Sequence, residues 1–106
     1  MNEAKTLRYD IVLAAPIGDK NGELTVSIIN DHIEGELIIM HNRNYFCGSI
    51  DDEGSCEISG NIKTLNDNVE YSGSGYINGE NVTLILNTGN RKLLVTGKKT
   101  KGGKDT

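Results

Sequence analysis

Apolar residues recur at every second position from residue 7 to residue 95, and Gly, Asn and Asp interrupt the alternation at short intervals. A spacing of two puts successive side chains on opposite faces of an extended strand, and no stretch repeats apolar residues at the three-and-four spacing of a helix. The pattern predicts strand and turn throughout. Pro16, the only proline, falls where the first strand ends, a position that costs no ladder hydrogen bond.

Turn chemistry then fixes the pairing, because partners across a hairpin must share a face. Asn78-Gly79 suits a type I′ loop, which needs positive φ at both central residues. That loop predicts Gly75 opposite Val82, Gly73 opposite Leu84 and Tyr71 opposite Leu86. Gly89-Asn90 predicts Leu86 opposite Leu93, Leu84 opposite Val95 and Val82 opposite Gly97. Asp52-Glu53-Gly54 fits a three-residue loop ending in a left-handed glycine and sets Ile50 opposite Cys56, Gly48 opposite Ile58 and Phe46 opposite Gly60. Asn30-Asp31 pairs Ile28 with Ile33 and Leu24 with Leu37; Asn42-Arg43 pairs Ile39 with Phe46 and Leu37 with Gly48. Longer loops at 17–21 and 65–68 complete the set, the second placing Gly60 opposite Gly73.

Seven reversals thus join eight strands that keep one apolar face in common. No helix is predicted to cover that face, so the sheet must cover itself, and closing the last strand onto the first also removes both unpaired edges. The expected fold is all-β: an eight-stranded antiparallel up-and-down meander barrel over residues 7–98, with a two-sheet sandwich as the alternative. An N-terminal arm (1–6) and a flexible basic tail (99–106) flank it.

Glycine recurs at the centre of inward-facing triplets in 33–37, 46–50 and 58–62. Glycine weakens an isolated strand, so its repetition marks places where strands bend or where a bulky neighbour lies across them. The meander and these Gly-centred strands resemble the calycin barrels: lipocalins, fatty-acid-binding proteins and, most of all, avidins. An eight-stranded barrel is just wide enough either to fill with side chains or to hold one small apolar ligand, and a packed core is the expectation. The chain has no Trp, and so departs from the Gly-x-Trp signature of lipocalins and from the tryptophans with which avidins enclose biotin. Biotin binding is not carried over.

Composition narrows the partners. At 106 residues the chain has room for one core, and 36% hydrophobic with 25% charged residues is globular. A net charge of −4 argues against nucleic acid, whose phosphates are held by Lys and Arg. No apolar run approaches the roughly 20 residues of a membrane helix, and the first residues lack the apolar region of an export signal, so a cytoplasmic location is expected.

Candidate chemistry is sparse. Cys47 and Cys56 have opposite parity on neighbouring strands and should not form a disulfide. His32 and His41 lack metal-ligand spacing partners, and the acidic stretches at 18–23 and 51–54 do not match a calcium loop, so no metal or cofactor is expected. The inward face carries few polar groups, which disfavours catalysis inside. Candidate ligand-lining residues are Tyr9, Leu37, His41, Phe46, Tyr71, Gly73 and Leu84. Outside, Val12, Ile29, Ile38, Met40, Ile85 and Leu94 are expected to group into an apolar wall that docks a second copy or another protein. The functional expectation is a non-enzymatic barrel that binds a small apolar ligand or serves as an accessory domain. An enzyme working at the barrel mouth, through Tyr9, His41 and Tyr71, is the alternative.

Overall fold

The computed structural model describes residues 5–14, 18–63, 68–89 and 91–100. Eight strands follow in order: β1 (Lys5–Ala14), β2 (Lys20–Ile29), β3 (His32–Ile39), β4 (Asn42–Ile50), β5 (Ser55–Lys63), β6 (Asn68–Ile77), β7 (Asn81–Asn87) and β8 (Lys92–Lys99). Each pairs antiparallel with the next, and β8 pairs with β1, which closes the barrel. Among the described residues no helix is long and apolar enough to cross a membrane. Pro16 and the loop at 65–67 lie outside the described residues, as do residues 1–4 and 101–106.

The shared apolar face is the core. Among the described residues every buried apolar side chain, from Tyr9 on β1 to Val95 on β8, lies on the predicted apolar face, with Leu7, Ile28 and Leu93 packed at its margins. Wholly buried side chains of this size, Tyr9, Phe46, Leu24, Ile33 and Leu86 among them, each contribute about 1.5–3 kcal/mol through the apolar surface they remove from water.

Several turns form as their residues require. Gly54, at φ 92°, ends the three-residue loop, and a side chain there would collide with the Ile77 carbonyl; its own carbonyl accepts from the Ile77 N–H at 2.9 Å. The registers set by this loop, by Asn30-Asp31 and by the turn at Gly89 are those that turn chemistry predicts.

Three registers differ, each by an even number of residues, so phase survives. At 78–81 neither Asn78 nor Gly79 has positive φ; instead the Asn78 side chain accepts from the N–H groups of Glu80 and Asn81, both at 2.8 Å. This Asx geometry centres the reversal one residue later, so Gly75 meets Leu84 and Gly73 meets Leu86. Between β3 and β4 the reversal is not Asn42-Arg43 but Met40-His41, at φ 53° and 69°, which pairs Leu37 with Asn44 and Gly35 with Phe46. Between β5 and β6, Gly60 faces Tyr71 and Gly73 faces Ile58.

Candidate functional site

Register decides what fills the lumen. Phe46 lies between two glycines, Gly35 on β3 and Gly60 on β5, and Tyr71 follows Gly60 on β6. A Cβ on Gly35 would sit 3.0 Å from the Phe46 ring; one on Gly60 would sit 3.2 Å from both the Phe46 Cβ and the Tyr71 hydroxyl. Leu86 leans over Gly73 in the same way, with Ile58 beside it. At Gly35, Gly60 and Gly73 large side chains therefore lie over the glycine, whereas at Gly48 and Gly75 an added Cβ would first meet the backbone of the next strand, and the predicted pairing of Gly60 with Gly73 does not form.

The candidate lining residues Leu37, Phe46, Tyr71, Gly73 and Leu84 all face this interior and are buried. Tyr9 is buried too, and its hydroxyl donates to the Asn78 carbonyl at the end of the barrel that carries the β6–β7 turn. Burial, with the Glu80 carboxylate beside it, raises the Tyr9 phenol. Histidine does not join them. His41 is exposed in the Met40-His41 turn at the opposite end, so the three residues of the mouth-enzyme alternative do not converge.

The Tyr71 hydroxyl has no hydrogen-bond partner among the described residues, although its side chain is 4% exposed. Leaving a buried hydroxyl unmatched costs about 1–3 kcal/mol. Burial pushes its phenol up to about 12. Burial, helped by the Asp51 charge, pushes the Cys56 thiol up to about 11, while Cys47 is exposed and both are free. Among the described residues no group of three or more His, Cys, Asp or Glu side chains is placed to hold a metal ion.

Asn44 is the polar core residue that sequence reasoning passed over. Its Nδ2 donates to the Leu37 carbonyl at 2.9 Å and to the Asn42 carbonyl at 3.2 Å, and its Oδ1 accepts from the Lys63 N–H at 2.8 Å. The β4–β5 pairing runs from Ile50 with Cys56 only as far as Phe46 with Gly60. Beyond that pair the Asn44 side chain spans the strands in place of main-chain bonds. Outside this seam lies a half-open groove of about 390 Å³, lined by Arg43, Asn44, Tyr45, Asn61, Lys63 and Asn68. The signal for Asn44 was its phase, two residues from Phe46; placing the turn at Asn42-Arg43 hid it beside a loop.

The expected outer wall divides into three. Ile85 pairs with Leu94, and Leu94 with Ala14, giving one apolar row across β7, β8 and β1, with Val12 two residues along. Ile38 and Met40 stand apart, since on β2 the polar residues Asn21 and Glu23 pair with Val12 and Ile38 respectively. Ile29 adjoins the β2–β3 turn, at the other end of the barrel from Met40. Strands β4 to β6 expose Ser49, Glu57, Ser59, Asn61, Glu70, Ser72 and Ser74. Comparison of the chain with family models, with curated proteins and with solved structures finds no match.

Proposed function

We propose that this domain is a non-enzymatic, calycin-like barrel whose interior is structural and which works from its outer surface, as an accessory or interaction module. The observation that carries this reading is the occupied space beside Gly35, Gly60 and Gly73, where Phe46, Tyr71 and Leu86 already lie. The calycin likeness rests on the eight-stranded meander and the Gly-centred strands, and it concerns architecture rather than ligand. Membrane insertion is disfavoured by polarity, because a lipid-spanning barrel turns apolar residues outward, whereas this one turns them in.

The docking surface in this reading is the row of Ile85, Leu94 and Ala14 with Val12. Ile85 and Leu94 are each 43% exposed, and burying a side chain of that size contributes up to about 1.5–3 kcal/mol toward association. Light scattering is expected to give a particle larger than one chain at micromolar concentration, and Ile85→Asp to return it to a monomer of unchanged fold. A monomer throughout, with no change in Ile85→Asp, would remove the wall from the reading.

A second reading is favoured by the unmatched Tyr71 hydroxyl, which an apolar ligand with one polar atom would satisfy. An environment-sensitive apolar dye distinguishes the two. Uptake by the folded protein with displacement by a fatty acid replaces the first reading by the second; no uptake is the outcome expected here.

A further inference from the structure

The pairing of β4 with β5 is the shortest among the described strands, and a groove opens above it. From a buried position Asn44 joins β4 to β5 through one hydrogen bond, accepted from the Lys63 N–H, and is itself held by the Leu37 carbonyl of β3 and the Asn42 carbonyl of its own strand, so the groove floor is fixed before any ligand arrives. On one wall Tyr45 is 60% exposed, and its hydroxyl donates to the Glu34 carboxylate at 3.0 Å, which holds the ring in place. Facing it across the seam, Asn61 and Lys63 come from β5, and Asn68 joins from β6.

The groove is lined by two cations, Arg43 and Lys63, and the carboxylates around it offset them. Arg43 is already engaged by Glu36 at 3.3 Å, and Asn61 pairs with Glu70 on β6, so acidic groups flank the groove on both sides. What remains is an aromatic ring with an open face, two exposed amides and one ammonium group. An amide offers a donor and an acceptor side by side, which matches neighbouring hydroxyls, and an exposed ring offers an apolar body for the C–H face of a pyranose. The volume suits one or two such rings, at the lower end of the range for small-molecule sites.

We propose that the β4–β5 groove binds a saccharide, with the sugar ring against Tyr45 and its hydroxyls on Asn61, Asn68 and Lys63. This site goes beyond the association proposed above and does not depend on it, since Val12, Ile85 and Leu94 lie on other strands. The test is an NMR titration of the folded full chain with cellotriose, chitotriose, maltotriose and mannotriose, with inorganic phosphate and citrate as anion controls. At least one trisaccharide is expected to shift the backbone amides of residues 43–45 and 61–63 saturably, at millimolar concentration or below. Tyr45→Ala and Asn61→Ala, both exposed positions, are expected to weaken that binding about tenfold or more while leaving the rest of the spectrum in place. Ile85→Asp should leave it unchanged. The proposal is overturned if no trisaccharide gives a saturable shift, if the shifts lie on another face, if phosphate or citrate binds there and the sugars do not, or if both groove variants bind as the parent does.

Discussion

Strands β8 and β1 are joined by backbone alone, over six pairs from Tyr9 with Lys99 to Ala14 with Leu94, whereas β4 and β5 pair over five and lengthen the join through the side chain of Asn44. Both junctions close the same barrel. Where the backbone makes the join, outward side chains are released from structural duty, and the β8–β1 side carries Leu94, Ala14 and Val12. Where a side chain makes it, residue identity is committed to closure, and the gap becomes a polar groove. The comparison teaches that the two surfaces differ because their seams differ, and each seam has its own weak point.

The largest effect is expected at the backbone seam. Gly97 faces inward on β8, where an added Cβ would meet the Asp10 carbonyl and the Ile11 side chain inside van der Waals contact. Gly97→Val is expected to cost about 3 kcal/mol, because a closed strand cannot shift outward without losing its ladder on both sides. Urea denaturation measures the loss, and hydrogen exchange should locate it on β1 and β8. A cost under about 1 kcal/mol would mean that this junction has slack, and the contrast with β4–β5 would fail.

Much of this architecture was legible from the sequence. The period of two assigned every buried apolar residue to the correct face, because an antiparallel pair preserves phase under any even shift of register. For the same reason phase could not detect the three registers that slipped. Asn78-Gly79 has the composition of a type I′ turn, but Asn78 caps the N–H groups of Glu80 and Asn81 instead, a choice made by side-chain geometry. Met40 and His41 take positive φ that neither residue type advertises, and their turn moved His41 to solvent and brought Asn44 inside. The outer wall was legible as residues but not as a surface, since its grouping depends on the β8–β1 closure that sets Leu94 beside Ala14 and on the β1–β2 pairing that sets Asn21 beside Val12, and no tight turn fixes either.

The side-chain seam gives the next effect. Asn44→Ala removes three hydrogen bonds and leaves the Lys63 N–H and the Leu37 carbonyl without that partner, at an expected cost of about 2–3 kcal/mol. Unlike Gly97→Val, this loss should be local. The Lys63 amide is expected to exchange faster and the ends of β4 and β5 to part, while protection on β8 and β1 stays as it was. If protection falls evenly around the barrel, Asn44 supports the whole core and the seam is no separate unit.

The smallest effect lies just inside that seam, at Tyr71. Its hydroxyl is buried without a partner among the described residues, so Tyr71→Phe removes an unmatched group and should be neutral or stabilise by up to about 1 kcal/mol at pH 7. Alkali sharpens the test. The folded barrel favours the neutral phenol, held up to about 12, over the phenolate, whereas the unfolded chain ionises near the ordinary value of about 10. The stability linked to this group is therefore complete below pH of about 10 and is lost as pH rises through about 12, on the order of 2 kcal/mol in all. Cys56, held up to about 11, drains stability in the same direction from lower pH, and it does so in both proteins. Denaturation curves at successive pH values should thus diverge only above pH of about 10, with Tyr71→Phe falling less steeply than the parent. Parallel curves would mean that the hydroxyl is matched in solution, and that the groove side of the barrel is as fully satisfied as the β8–β1 side.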